Sequence, residues 1–307
     1  MASIGFRFRR LWTSIWIFFP VVLTIVSISI GLIHAEEYVS IEGGAGNIQI
    51  KTQNEQFYSD SKINVWHAGL GLDLEQEDYP LRIAFRGSYF STDNETEKWI
   101  SRSSGPLNEN HLDVHGLILE AHGYYMPYSP SFLNGGLIFK PYLGGGLVCR
   151  RIKLDRGGFN GSMFPLYPLT SNMAYYMGDQ SIVEVGAMPS FGARLELPKS
   201  DLEFNLNLGW AFLGINSNVN YHLSCVGSEE YIYPYLVHTS GSRSMGKMEL
   251  IKTWDSLSVE IGWQWEKTQI NDKSILFFSD GPTDYYLPFP EYEITRTLGR
   301  ITLKYLF

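Results

Sequence analysis

The chain has 307 residues and carries 24 Lys+Arg against 32 Asp+Glu, a formal net charge of −8. That balance argues against a protein that wraps nucleic acid with a basic surface. The two cysteines, Cys149 and Cys225, fall in no CxxC or Cys/His spacing, so a zinc site is not expected, and either one disulfide or two separate thiols remains. No motif calls for a cofactor or a metal.

The first element is a targeting segment. Arg7, Arg9 and Arg10 precede an uncharged stretch from Leu11 to Ile33, and Ala35 precedes Glu36 and Glu37. Residues 1–35 read as a signal peptide cleaved at Ala35/Glu36. The alternative is an uncleaved inner-membrane anchor, because about 20 apolar residues can span a bilayer. Cleavage would take three arginines with it, leaving (24 − 3) − 32 = −11 on residues 36–307.

From residue 36 onward, apolar and polar residues alternate with period two. In 80–90, Leu81, Ile83, Phe85 and Tyr89 oppose Arg82, Arg86 and Ser88. In 181–197, Val183, Val185, Ala187, Phe191 and Leu195 oppose Glu184, Ser190, Arg194 and Glu196. In 201–212, Phe204, Leu206, Leu208, Trp210 and Phe212 oppose Glu203, Asn205 and Asn207. The clearest case is 256–266, where Leu257, Val259, Ile261, Trp263 and Trp265 oppose Ser258, Glu260, Gln264 and Glu266. Ten such segments are predicted: about 38–50, 62–74, 80–92, 111–126, 136–153, 181–197, 201–217, 244–253, 256–269 and 292–307.

Connections between them alternate in length. The short ones are 75–79, 127–135, 198–200 and 254–255; the long ones are 51–61, 93–110, 154–180, 218–243 and 270–291. Short periplasmic turns, long extracellular loops and an even strand count are the signature of outer-membrane barrels. No apolar run after residue 35 is long enough to cross as a helix, so a membrane protein of this composition must close its strands on themselves. The expected fold is all-β: a membrane-spanning antiparallel up-and-down β-barrel of about ten strands. Tyr89, Trp210, Trp254, Trp263 and Trp265 are expected in the interfacial aromatic girdles. Asp73, Arg82, Arg86, Glu120, Lys140, Arg194, Glu196, Glu203, Lys247 and Glu260 fall on the inward faces, where opposite charges would pair and plug a narrow lumen.

The last segment alternates Ile301, Leu303, Tyr305 and Phe307 with Arg300, Thr302 and Lys304. It resembles the C-terminal signal that the barrel-assembly machinery reads. Expected partners are therefore that machinery, through the strand ending in Phe307, together with outer-membrane lipid and lipopolysaccharide. Location in the bacterial outer membrane follows.

Polar residues with chemistry to offer are few. His67 and His122 fall on inward faces and are expected to partner lumen carboxylates. His111, Asp113 and His115 share one face of a strand at its outer end. The run Gly144–Gly146 has no following helix and is no phosphate loop; it is expected to relieve crowding inside the barrel. Asp93 and Glu95 follow strand three, and His222 lies beyond strand seven.

In strand number, loop pattern and length, residues 36–307 resemble the omptins, the outer-membrane endoproteases, with local likeness at Met188-Pro189-Ser190-Phe191-Gly192. The resemblance implies an Asp-x-Asp pair after strand three and an Asp-x-His pair atop strand seven, facing each other across a cleft and holding a water. Here those places read Asp93-Asn94-Glu95 and Asn220-Tyr221-His222. The implied catalytic residues are His222, Asp93 and Glu95. An amide at 220 does not stabilise an imidazolium as a carboxylate does. If strand seven extends that far, Tyr221 is expected to alternate away from the cleft, and Glu229 and Glu230 share the loop with His222. Three functions stay open: an omptin-like, non-catalytic barrel whose loops bind surface ligands or partners; an active omptin-type aspartic endopeptidase; or a narrow channel.

Overall fold

A computed structural model describes residues 35–307 apart from 55–56, 77–79, 93–94, 103–104, 128, 134, 161–166, 171–172, 226–230 and 281–282. Residues 1–34 lie outside the described residues, and with them all of the expected signal segment 1–35 except Ala35, which opens β1. Ten antiparallel strands make a closed ring: β1 (Ala35–Gln53), β2 (Phe57–Gln76), β3 (Leu81–Thr92), β4 (Gly105–Tyr125), β5 (Leu137–Asn160), β6 (Met173–Leu197), β7 (Leu202–Cys225), β8 (Tyr231–Trp254), β9 (Leu257–Ile270) and β10 (Glu291–Leu306). Every strand pairs with its neighbours in the chain, and β1 closes on β10 from Tyr38↔Leu306 to Gln53↔Glu291. Closure leaves no sheet edge along the wall, which a bilayer requires.

The ten predicted segments are the ten ring strands. The stretches predicted as long loops are different: much of their length is strand. β1 runs on to Gln53 and β2 starts at Phe57; β7 reaches Cys225 and β8 starts at Tyr231. Short strands at Glu95–Ser101, Tyr167–Thr170, Lys273–Asp280 and Thr283–Phe289 add ribbons at the same end. At the other end the turns are tight, and Asp201 (φ 48°) and Asp255 (φ 46°) take the left-handed conformation there, which a short polar side chain tolerates.

The alternation changes sign partway along the wall. In the half near the tight turns, apolar side chains point out. Ile261, Ile301, Leu147, Phe191 and Phe212 are exposed, with Trp210, Trp254 and Trp263 among them. In the half near the long connections, apolar side chains point in. Ile48, Ile50, Ile63, Val114, Ile152, Leu154, Ile215 and Val219 are buried together, while Asn47, Lys62, Lys153 and Asn218 occupy the outer face. One strand serves both regimes: on β7, Phe204 to Phe212 face lipid on even positions, and Leu213 to Tyr221 fill the interior on odd ones. The molecule is a membrane barrel continued into a β-barrel with an ordinary apolar core.

Gly144 and Gly146 carry the expected steric role. A Cβ at Gly146 would stand 2.4 Å from the His122 ring and from the Ala121 carbonyl, and one at Gly144 would stand 2.6 Å from the Gly123 carbonyl.

Candidate functional site

In the membrane half the lumen is lined with paired charges. Glu266 lies among three cations: Arg243 at 2.9 Å, Arg296 at 2.7 Å and Arg150 at 3.4 Å, while Arg150 also grips Glu184 at 2.7 Å. Nearer the tight turns, Asp73 is bound by Arg82, Arg86 and Lys304, Glu42 and Glu249 share Arg300, Lys247 joins Glu249, and Lys304 also meets Glu260. At the mouth, Arg194 meets Glu75, Glu196 and Glu203, and Lys140 meets Glu196. With Glu120, which holds His122, these pairs comprise ten carboxylates and ten Lys or Arg among the described residues, a sum of 10 − 10 = 0. His67 sits 3.3 Å from Glu42 and His122 3.6 Å from Glu120, both buried, the carboxylate partners expected of them. A cavity admitting only water-sized contents, about 20 Å³, lies among Arg82, Arg86, Arg194, Lys247 and Glu249.

The extracellular half is filled by the apolar core and capped by one polar network. Glu97, on the Glu95–Ser101 strand, forms a two-pronged pair with Arg156 of β5 at 2.7 and 3.3 Å, both side chains buried. Asn110 donates to the same carboxylate at 2.9 Å. The Tyr292 hydroxyl donates to Gln180 at 2.7 Å, and Gln180 donates to Ser217. Arg156 also lies over the ring of Trp99, which packs edge-on against Phe57 at 5.1 Å. Side chains from β2, β5, β6, β7 and β10 thereby meet above the apolar core. Sequence reading missed this network, because Glu97 and Arg156 fall in stretches read as long loops and their partners come from distant strands.

The residues that the omptin resemblance implied are distributed as follows. Asp93 lies outside the described residues, as do Glu229 and Glu230. Glu95 opens the short strand and pairs in register with Leu112 of β4. Asn220 and His222 are half-buried near the outer end of β7, three strands along the ring from β4. The intervening Tyr221 is fully buried and packs edge-on against Tyr235 at 5.7 Å, so it points into the barrel, the reverse of the expectation for it. Strand alternation puts His222 on the opposite face, over Gly178, where a Cβ would stand 2.3 Å from its Nε2. A bulge in β6 near Gly178 absorbs the register shift there without changing the parity of β7.

His111, Asp113 and His115 do share one face of β4, and it is the outer one. His115 reaches across strands: its Nε2 lies 2.9 Å from Asp155 on β5 and its Nδ1 3.5 Å from Ser91 on β3.

A ring of ten antiparallel strands, a lipid-facing apolar belt and a paired polar lumen define a transmembrane β-barrel of the outer-membrane type. Its structural neighbours are such barrels. The outer membrane protease OmpT from Escherichia coli aligns over 88% of this chain and 97% of its own, with a TM-score of 0.53 at 11% identity. The translocator domain of autotransporter NalP from Neisseria meningitidis aligns over 92% of each chain with a TM-score of 0.40 at 11% identity. In fold, then, the chain is an omptin-like outer-membrane barrel, and identity this low speaks for the fold alone. No protein-family model matches the sequence, and no curated protein does.

Proposed function

We propose that this is an integral outer-membrane barrel with no conducting pore and no peptidase activity, which binds ligands or partners through its extracellular ribbons. Outer-membrane lipid and lipopolysaccharide would surround its apolar belt. The observation that carries the reading is the filled extracellular half. Omptin-type attack needs two acidic pairs facing each other over a water-filled cleft. Here Tyr221, Tyr292, Phe57, Trp99 and the Glu97–Arg156 pair are buried inside the extracellular half. The amide at Asn220, in place of a carboxylate, also favours it.

Refolded protein in planar bilayers and in detergent tests all three functions. The expected outcome is no steady conductance step, with slow or no cleavage of peptides bearing basic residues, in the parent and in Asn220→Asp. Brisk cleavage abolished by His222→Ala would establish the endopeptidase instead, and a steady open level would establish the channel.

A further inference from the structure

The line Ser91–His115–Asp155 lies outside the lumen and owes nothing to the surface-binding function proposed above. Its three members stand on successive strands, β3, β4 and β5, and all face outward. Ser91 is directly opposite His115 in the β3–β4 register, and His115 is directly opposite Lys153 in the β4–β5 register. His115 and Asp155 are about a quarter exposed, with side-chain values of 25% and 26%. The Ser91 Oγ is 3.5 Å from His115 Nδ1 and 3.4 Å from the Thr92 carbonyl, so a turn about one torsion chooses between them. His115 Nε2 is 2.9 Å from Asp155 Oδ2, and Lys153 Nζ is 2.5 Å from the other carboxylate oxygen. Half-burial raises the Asp155 pKa, yet the hydrogen bonds from His115 and Lys153 outweigh it and bring it down to about 2, so the group is an anion at neutral pH. A carboxylate taking the Nε2–H leaves Nδ1 as the basic nitrogen, on the side where the Ser91 hydroxyl lies.

Height on the wall selects the substrate. Tyr89 and Leu117 stand on the same face one step toward the membrane, and Leu119 and Leu147 follow in the apolar belt. Trp66 is directly opposite Ser91 and packs against Tyr89 at 5.4 Å. Nothing soluble and compact is enclosed by such a wall. An amphiphile lying in the adjoining leaflet would set its acyl chains against the leucines and its ester groups at the height of Ser91.

We propose that Ser91 and His115 are the nucleophile and general base of an esterase centre on the outer wall, that Asp155 positions the imidazole, and that the substrate is an acyl ester of a membrane lipid. Ser91 Oγ bonds to the ester carbonyl carbon as its proton passes to His115 Nδ1. The adduct collapses by breaking the ester C–O bond, and the alcohol leaves with that proton. Water, deprotonated by the same nitrogen, then frees the acid and restores Ser91.

The test uses the full chain refolded in detergent micelles, with a fluorophosphonate probe and p-nitrophenyl laurate. Ser91 should be labelled, and Ser91→Ala should abolish labelling and ester cleavage. His115→Ala should slow both at least about a hundredfold. Asp155→Asn should slow both, and Asp155→Glu, which keeps a carboxylate for the imidazole, should restore part of the rate, a rescue that a merely structural role would not give. Heat-modifiable migration on gels reports that each variant is folded. Folded parent protein that takes no label at Ser91, labelling that survives in Ser91→Ala, or rates unchanged in His115→Ala would each overturn the proposal.

Discussion

Glu266 shows what a single side chain contributes here. Its carboxylate is buried among three guanidinium groups, so removing it leaves like charges facing one another without water. Breaking a buried pair from one side costs about 3–5 kcal/mol. Glu266→Ala should therefore lower stability by about that much, read as a shift in the urea midpoint of the refolded protein, with Glu293→Ala near zero as a control. Glu293 is held low by its hydrogen bond from Lys267, but on the exposed outer face, where such pairs contribute little. At this scale the sequence was legible where alternation gives a side chain a wall: Asp73, Arg194 and Glu260 fall inward as read. It was not legible where partners come from distant strands. Nothing in the order of residues says that Ser91, His115 and Asp155 meet, or that Glu97 finds Arg156 at a separation of 59 residues.

Single strands were the most readable level, because a lipid-facing strand must be apolar on every second residue. Ile261, on β9, is 60% exposed in the middle of the apolar belt. Ile261→Arg should destabilise the barrel by about 2–4 kcal/mol if it sits at the bilayer midplane, with a smaller cost for Ile232→Arg on the outer part of β8. Folding titrations in lipid vesicles would check this; equal costs at both positions would show that the belt is misplaced. What escaped reading was the outer third of each hairpin. There the periodicity persists with its polarity inverted, apolar residues going to a water-free core and polar ones to the outside. A pattern search that expects apolar residues on the lipid side ends at the inversion, as the predicted limit of β2 at 62 does, although the strand starts at Phe57.

Taken whole, the molecule joins two solvents. One tier is stabilised by burying apolar surface in lipid around a core of ion pairs, and the other by burying apolar surface in itself under a polar coat. Among the described residues, each tier fills its own interior with what its exterior rejects: ion pairs inside the lipid-facing belt, apolar side chains inside the polar coat. Alternation and composition gave the fold class because every membrane strand must obey them, whereas nothing in them depends on what the barrel does.

The zero sum of the lumen has an electrostatic consequence. The paired lumen charges add nothing to the formal net charge of −8, which is set by the other charged residues of the chain. At 1 M salt the screening length is about 3 Å, against about 30 Å at 0.01 M. Ions of the medium shield exposed charges far more than buried pairs. Raising NaCl from 0.01 to 1 M should thus leave the unfolding midpoint nearly unchanged, while capture of any cationic ligand by the surface fades. Ionic strength becomes a means of separating the two: an interaction lost in salt belongs to the coat, and a stability lost in salt would mean that the core had opened.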